Sequence, residues 1–452
     1  MHRQRWHYKS GWGSVSGSSV ELFFRGRSPR AALMKQEAVV NRAYLVLAWA
    51  LALAACGSDV EIGNSVCSGE GVRCDPGSLE QAEEVGQSDV IAVSPDSLTK
   101  LMPVSTVAPL AADELAYYAL LTDRAGTLWE FGVQIVDKGA MWPGEGRVRV
   151  RTTSLDGNVQ EGSVEAPSAL RDPHAELSPQ PHNSERGPIL DLGWFGPCSD
   201  PTAGCSNFET LAFGSDAAIP PERTSWPGSL ATFSAQAKGR WIFLNSPYTI
   251  EQQSHSRKLI WRQTALEKLE YYCNERAEVL ESGETVLLAT NPYVDKTGAD
   301  EVWRVGFDGN LKQRLKLLRH VLEPRLVLDT RQRALIAGGD DGGGLRVIRH
   351  EGDSKQRSWS FLRTEFTPLA VHAAGADLDD TLYVLTETGG REEKGRTPVL
   401  CRVRADDAAD CFVLDKPADS MERPMRHMQA TGPGIVYVGD GQRLFRYELP
   451  HD

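Results

Sequence analysis

Apolar runs recur along the second half of the chain, each set off by polar, glycine-rich stretches. Trp241-Ile242-Phe243-Leu244, Val286-Leu287-Leu288-Ala289, Ala334-Leu335-Ile336-Ala337, Leu382-Tyr383-Val384-Leu385 and Ile435-Val436-Tyr437-Val438 are continuous, as strands covered on both faces are. A second run follows each, with arginine after an apolar residue and any residue. It is seen in Ile260-Trp261-Arg262, Val302-Trp303-Arg304, Leu400-Cys401-Arg402-Val403 and Leu444-Phe445-Arg446-Tyr447, with Val347-Ile348-Arg349 a partial match. The arginines at 262, 304, 349, 402 and 446 lie 42, 45, 53 and 44 residues apart. Two further stretches, Arg147 to Val159 and Glu301 to Leu311, share the turn Asp-Gly-Asn between short strands. Such a turn needs positive φ and marks a hairpin.

A period in this range, built of about four strands, is that of a β-propeller blade. One four-stranded sheet cannot hide both faces, whereas sheets stacked around an axis cover one another and leave short edges. The fold class is therefore all-β, a β-propeller over 89–452. Five blades fall between about Lys238 and Leu449. Leu115 to Val164 supplies a sixth, and Pro188 to Phe233, the poorest match, a seventh. The count is about seven, with six and eight staying open. The last repeat stops after three strands, and Val90–Val93 is expected to close the ring as the fourth. Pro167 to Pro188, with five prolines, reads as a loop between blades. Thr264-Ala265-Leu266-Glu267 matches a helix cap, but the repeat asks for a strand near Lys268–Cys273, and strand followed by an irregular turn is the expectation.

The N-terminal end differs. Met34-Lys35 and Arg42 precede an apolar stretch, Tyr44 to Leu53, too short to span a bilayer. Leu53-Ala54-Ala55-Cys56 then resembles the lipobox of bacterial lipoproteins. The resemblance implies lipidation at Cys56, removal of residues 1–55 as a signal peptide with an overextended start, and a cell-envelope address at the outer membrane. Several acyl chains hold such a protein essentially permanently. Residues 56–88 are rich in Gly, Ser, Glu and Asp and poor in large apolar groups, the composition of a disordered tether.

Charge narrows the partners. The chain carries −12, and its first 55 residues, with eight Lys/Arg and two Asp/Glu, carry +6, leaving −18 for the remainder. An acidic body argues against a nucleic-acid groove. The cysteines fit an oxidising compartment. Cys67 with Cys74, and Cys198 with Cys205, sit in Gly/Pro/Ser-rich loops, and Cys401 faces Cys411 across an acidic turn. All three pairs are disulfide candidates. Their spacing is too wide for a zinc site, and Cys273 is left over.

Chemistry is sparse. No nucleophile elbow, phosphate loop or His-Glu-x-x-His is present in the mature chain. His174 and His182 share a proline-rich loop and read as surface histidines. Asp340-Asp341-Gly342 and Asp377-Leu378-Asp379-Asp380 gather oxygen ligands without the spacing of a calcium loop, and read as turn residues. The recurrent arginines read as strand residues paired with acids, the alternative being an anion-binding ring in the channel. Trp129, Trp241, Trp261 and Trp303 are expected between blades. Trp142, Trp194 and Trp226 lie in loops, where exposed platforms for a sugar or peptide are the weaker reading. Ile435 to Tyr447 resembles a quinoprotein-type blade, and Ala337-Gly338-Gly339 followed by Trp359 is similar to the Kelch pattern. These resemblances cover about half of the mature chain and imply no catalytic residues, cofactor or metal. The expected role is a non-catalytic scaffold for an envelope protein or small ligand. The alternatives are an envelope enzyme (hydrolase, lyase or cofactor-dependent dehydrogenase) acting in the channel, or a small-ligand sensor.

Overall fold

The computed structural model describes residues 79–450 apart from 86–88, 94–97, 111–116, 137–144, 166–175, 185, 198–203, 228–230, 246–248, 255, 257, 265–269, 272–276, 291–297, 341–343, 364–370, 389–396, 416–424 and 442. Among the described residues the secondary structure is strand throughout, without helix.

Among the described residues the strands form six hydrogen-bonded sheets that make seven blades. Blade 1 holds Tyr117–Thr122, Leu128–Val136, Glu145–Thr153 and Val159–Glu165. Blade 2 holds Glu176–Ser184, Gly187–Pro197, Gly204–Ala212 and Glu222–Pro227. Blade 3 holds Ala231–Ala237, Arg240–Asn245, Thr249–Ser254 and Leu259–Thr264. Blades 4 and 5 are fused, because Leu311–Leu328 is one strand. Its first part ends blade 4 (Ala277–Val279, Thr285–Thr290, Gly298–Val305) and its last part begins blade 5 (Ala334–Gly339, Leu345–Gly352, Lys355–Arg363). Blade 6 holds Val371–Ala376, Leu382–Thr388, Thr397–Val403 and Ala409–Leu414. Blade 7 contributes His427–Ala430, Ile435–Gly439 and Leu444–Glu448. The first strands touch in the order of the blades, and that of blade 7 touches that of blade 1, so the ring is closed.

Between neighbouring sheets lies the core. Trp129, Phe131 and Val148 of blade 1 meet Leu190 and Leu192 of blade 2. Trp261 of blade 3 meets Leu287 and Trp303 of blade 4, and Val286 and Val302 of blade 4 meet Ile336 and Ile348 of blade 5. The same filling joins blades 5 and 6, 6 and 7, and 7 and 1. This two-sided burial is why the second strands are apolar without alternation. Trp129, Trp241, Trp261 and Trp303 are each 4 % exposed or less.

Closure is made by the N-terminal segment, with a strand other than the expected one. Ser105–Val107 pairs antiparallel with Leu444–Arg446 as the fourth strand of blade 7. Asp89–Val93, expected there, instead runs parallel to Trp359–Arg363 as a fifth strand on blade 5. Thr99–Leu101 does likewise on blade 6. Upstream, Glu83–Glu84 pairs with Lys355–Gln356, and Glu80 bridges Leu315 of blade 4. The described residues between 80 and 107 thus form a strap along the outer edges of blades 4 to 7. The pairing is non-local: apolar content alone favours Val90–Val93 over Ser105-Thr106-Val107, but the edge is paired through backbone groups.

Two further expectations shift. Glu176–Ser184, read as loop, is the first strand of blade 2 despite Pro179 and Pro181. Prolines two residues apart place their donorless nitrogens on one edge, here the unpaired edge toward the axis, where no ladder bond is lost. Arg262 lies on the fourth strand of blade 3, while Arg304, Arg349, Arg402 and Arg446 lie on third strands. Near Lys268–Cys273 the expected strand forms, two residues long, as Glu270–Tyr271 against Ala289–Thr290. Both Asp-Gly-Asn hairpins form as expected: Gly157 and Gly309 have φ near +80°. A Cβ on Gly309 would lie 2.7 Å from the Trp261 ring, whose indole N–H donates to Phe307 O at 3.1 Å.

Candidate binding site between blades 7 and 1

The turns joining first to second strands interlock over one mouth of the channel. Arg124, from blade 1, donates to Val279 O of blade 4 at 3.3 Å and approaches Glu281 at 3.7 Å. Glu281 N donates to Gln332 Oε1 of blade 5 at 3.0 Å. Thr330 N of blade 5 donates to Asp380 Oδ1 of blade 6 at 2.9 Å, and Arg331 pairs with the same carboxylate at 2.8 Å. Gly434 N of blade 7 donates to Asp377 Oδ2 of blade 6 at 3.4 Å.

The aspartates of these turns are structural. Asp123 Oδ1 accepts from Ala125 N and Thr127 N, and its Oδ2 accepts from the Trp129 indole at 2.9 Å. Asp377 Oδ1 accepts from Asp379 N and Thr381 N, and its Oδ2 from Tyr383 OH at 2.9 Å. An aspartate at the strand end thus caps the turn and grips the aromatic residue six positions on. Burial raises the Asp377 carboxyl, and the N–H donors oppose that rise. Asp340 Oδ1 accepts from Gly344 N at 2.7 Å. Among the described residues no group of His, Cys, Asp and Glu is arranged to hold a metal ion.

The recurrent arginines meet acids. Arg262 pairs with Glu251 at 2.6 Å, Arg304 with Glu284 at 2.7 Å, Arg402 with Asp410 at 2.6 Å and Arg446 with Glu448 at 2.6 Å. Arg349 bridges Glu351 and, in the next blade, Asp407. Arg151 is the most enclosed: with Glu130 it forms a buried pair to which Tyr118 OH also donates, at 2.7 Å. Burial and the Glu130 charge hold the Tyr118 phenol well above its ordinary value.

Beside this pair, on the outer part of blade 1, opens a cleft of about 210 Å³ lined by Leu110, Arg149, Val150, Glu161, Gly162 and Ser163. Leu110 belongs to the chain that leaves the closing strand of blade 7. Arg149 and Ser163 are cross-strand partners, as are Arg151 and Glu161, so alternation turns all four side chains to one face. Arg149 Nε is buried and has no hydrogen-bond partner among the described residues. Glu161 is held by Arg151 at 3.7 Å. Sequence reading missed Arg149, because the repeat that drew attention to arginines begins a hundred residues later; the alternating Arg147, Arg149 and Arg151 are its only trace.

Cys401 and Cys411 form a disulfide across their hairpin, with Cα atoms 4.0 Å apart. Cys56, Cys67, Cys74, Cys198, Cys273, Trp142 and His174 lie outside the described residues, as do the side chains of Cys205, His182, Trp194 and Trp226; the backbone of Cys205, Trp194 and Trp226 lies on strands of blade 2, not in the loops expected.

Seven blades whose first strands touch in a closed ring define a β-propeller. No protein-family model matches the chain, and no curated protein matches it. Solved structures do. A chain of the mitotic checkpoint complex is 9 % identical, with a TM-score of 0.45 over 79 % of this chain and 95 % of that one. The β-propeller domain of the Trilobed protease from Pyrococcus furiosus is 9 % identical, with a TM-score of 0.41 over 75 % and 96 %. BBS1N, solved in complex with ARL6DN, is 10 % identical, with a TM-score of 0.42 over 78 % and 97 %. The likeness concerns the fold alone and carries no site.

Proposed function

We propose that this chain is a lipid-anchored cell-envelope β-propeller that binds a protein partner without catalysis. The observation that carries the reading is the strap. The segment that follows the tether is bonded to the outer edges of four blades in succession. A tether at Cys56 would therefore load the ring as a whole and leave the edges of blades 1 to 3, which carry no added strand among the described residues, for contact. The commitment of Asp123, Asp377 and Asp380 to turns, and of Arg151, Arg349 and Arg402 to ion pairs, further supports a binding role.

Two arms test the proposal in envelopes of cells expressing the full chain. The first compares its fractionation with that of Cys56→Ser: the wild type should stay with membranes and the variant should be released. The second crosslinks intact cells and isolates the chain under denaturing conditions, expecting a reproducible envelope protein. Unchanged fractionation of Cys56→Ser would defeat the anchor. Turnover of a substrate by the purified chain would defeat the non-catalytic role.

A further inference from the structure

The sheet edges of this propeller already accept added strands. The strap adds in parallel to blades 5 and 6. Its start, Leu79-Glu80-Gln81-Ala82-Glu83-Glu84, is acidic, and two carboxylates find donors on the blades. Gln313 Nε2 donates to Glu80 Oε2 at 3.0 Å, and Ser358 Oγ, on the fourth strand of blade 5, donates to Glu84 Oε1 at 3.1 Å.

Blade 1 has the same parts. Its fourth strand, Val159–Glu165, ends the sheet, with residues 159–161 exposed and Val159 at 55 %. Ser163 faces the cleft beside Arg149. The other face of the strand is closed, since a Cβ on Gly162 would stand 2.1 Å from Ala217 O of blade 2. A chain arriving at this edge can direct alternate side chains into the cleft, toward Arg149.

We propose that blade 1 is a strand acceptor. An extended segment of a partner protein pairs with Val159–Glu165 and sets a carboxylate side chain between Arg149 and Ser163. The proposal rests on the binding reading above and supplies its partner chemistry. Backbone bonds along the edge give affinity with little sequence demand. Selectivity comes from the buried guanidinium N–H, which is costly to leave unmet. A carboxylate meets it with a charge-assisted bond, and a neutral amide does so less well.

The test uses the full chain in detergent and a fluorescein-labelled peptide, Thr-Val-Glu-Val-Thr-Val, with its glutamine isostere, read by fluorescence anisotropy. The glutamate peptide should bind about tenfold more tightly. Arg149→Gln should erase that gap while weak binding of both peptides remains. Ser163→Pro, which disrupts the edge, should remove binding of both; should it also lower the melting temperature, the Arg149→Gln comparison alone decides. Equal affinities in the wild type, a gap that survives Arg149→Gln, or the absence of saturable binding would overturn the proposal. So would concentration-dependent self-association that Ser163→Pro abolishes, since the edge would then serve a second copy of the chain. Crosslinked capture that persists in Ser163→Pro cells would remove blade 1 as the site and leave the protein-binding reading standing.

Discussion

Glu278 lies on the first strand of blade 4, between Ala277 and Val279, which are buried against blade 3. Burial raises its carboxyl from 4.5 to about 7, and the Arg124 guanidinium, reaching over from blade 1, opposes part of that rise. Exposed Glu281, and Glu284 paired with Arg304, are the other acids at this turn. The folded chain therefore holds a proton that the unfolded chain releases as pH climbs from 4.5. Stability falls through that window, and the cost is complete above about pH 7. At about 1.4 kcal/mol per unit, the shift sets a ceiling of about 3 kcal/mol. His427 works in the opposite sense. Burial, with Arg426 adding, lowers it from 6.5 to about 4 against the pull of Asp440, so its contribution is lost as pH falls through that range. The windows overlap between about 4.5 and 6.5, which flattens the wild-type profile and makes the variant difference the informative quantity. Glu278→Gln removes the charge that burial penalises. For a body of about 370 residues, with an unfolding entropy of about 2.1 cal/mol/K per residue, 3 kcal/mol corresponds to about 4 °C. Calorimetric melts should show Glu278→Gln up to about 4 °C more stable at pH 8 and level with the wild type at pH 4.5. A difference that does not change with pH, or a loss of stability at pH 8, would refute the reasoning.

Two other perturbations probe the architecture. Deleting residues 79–101 should lower the melting temperature yet leave one transition, because Ser105–Val107 still closes blade 7; extending the deletion to 107 bares Leu444–Glu448 and should abolish the cooperative melt, and equal effects of the two deletions would contradict this closure. Glu130→Gln leaves buried Arg151 with only the exposed Glu161 carboxylate, at 3.7 Å, and should cost about 3 kcal/mol in urea unfolding; a cost below about 1 kcal/mol would mean that the pair is better hydrated than its burial indicates.

Much of the ring is written locally. Leu382-Tyr383-Val384-Leu385 is apolar without alternation because blades 5 and 7 cover its two faces, and such a run is visible in one dimension. Asp308-Gly309-Asn310 likewise specifies its hairpin from three residues, through the positive φ of Gly309. A disulfide between Cys401 and Cys411 is legible in the same way, as the two ends of one hairpin. Arg262 shows where local reading slips: its triplet resembles the third-strand pattern, yet its neighbour Trp261 fills a fourth-strand place against blade 4. Part of the arginine pairing was within reach of sequence, since Asp410 faces Arg402 across one hairpin and Glu448 lies two residues from Arg446 on one strand.

The sequence by itself determined a repeating all-β body, its hairpins and its inter-blade tryptophans, because each depends on residues within about one blade. Only the tertiary structure decided that Ser105–Val107 closes the ring, that Asp89–Val93 extends blade 5, and that Arg149 faces a cleft. Edge pairing is made by backbone groups that every residue carries, so distant strands compete for the same edge with almost no signature in their side chains. Which one wins is settled by the path the chain has already taken around the axis.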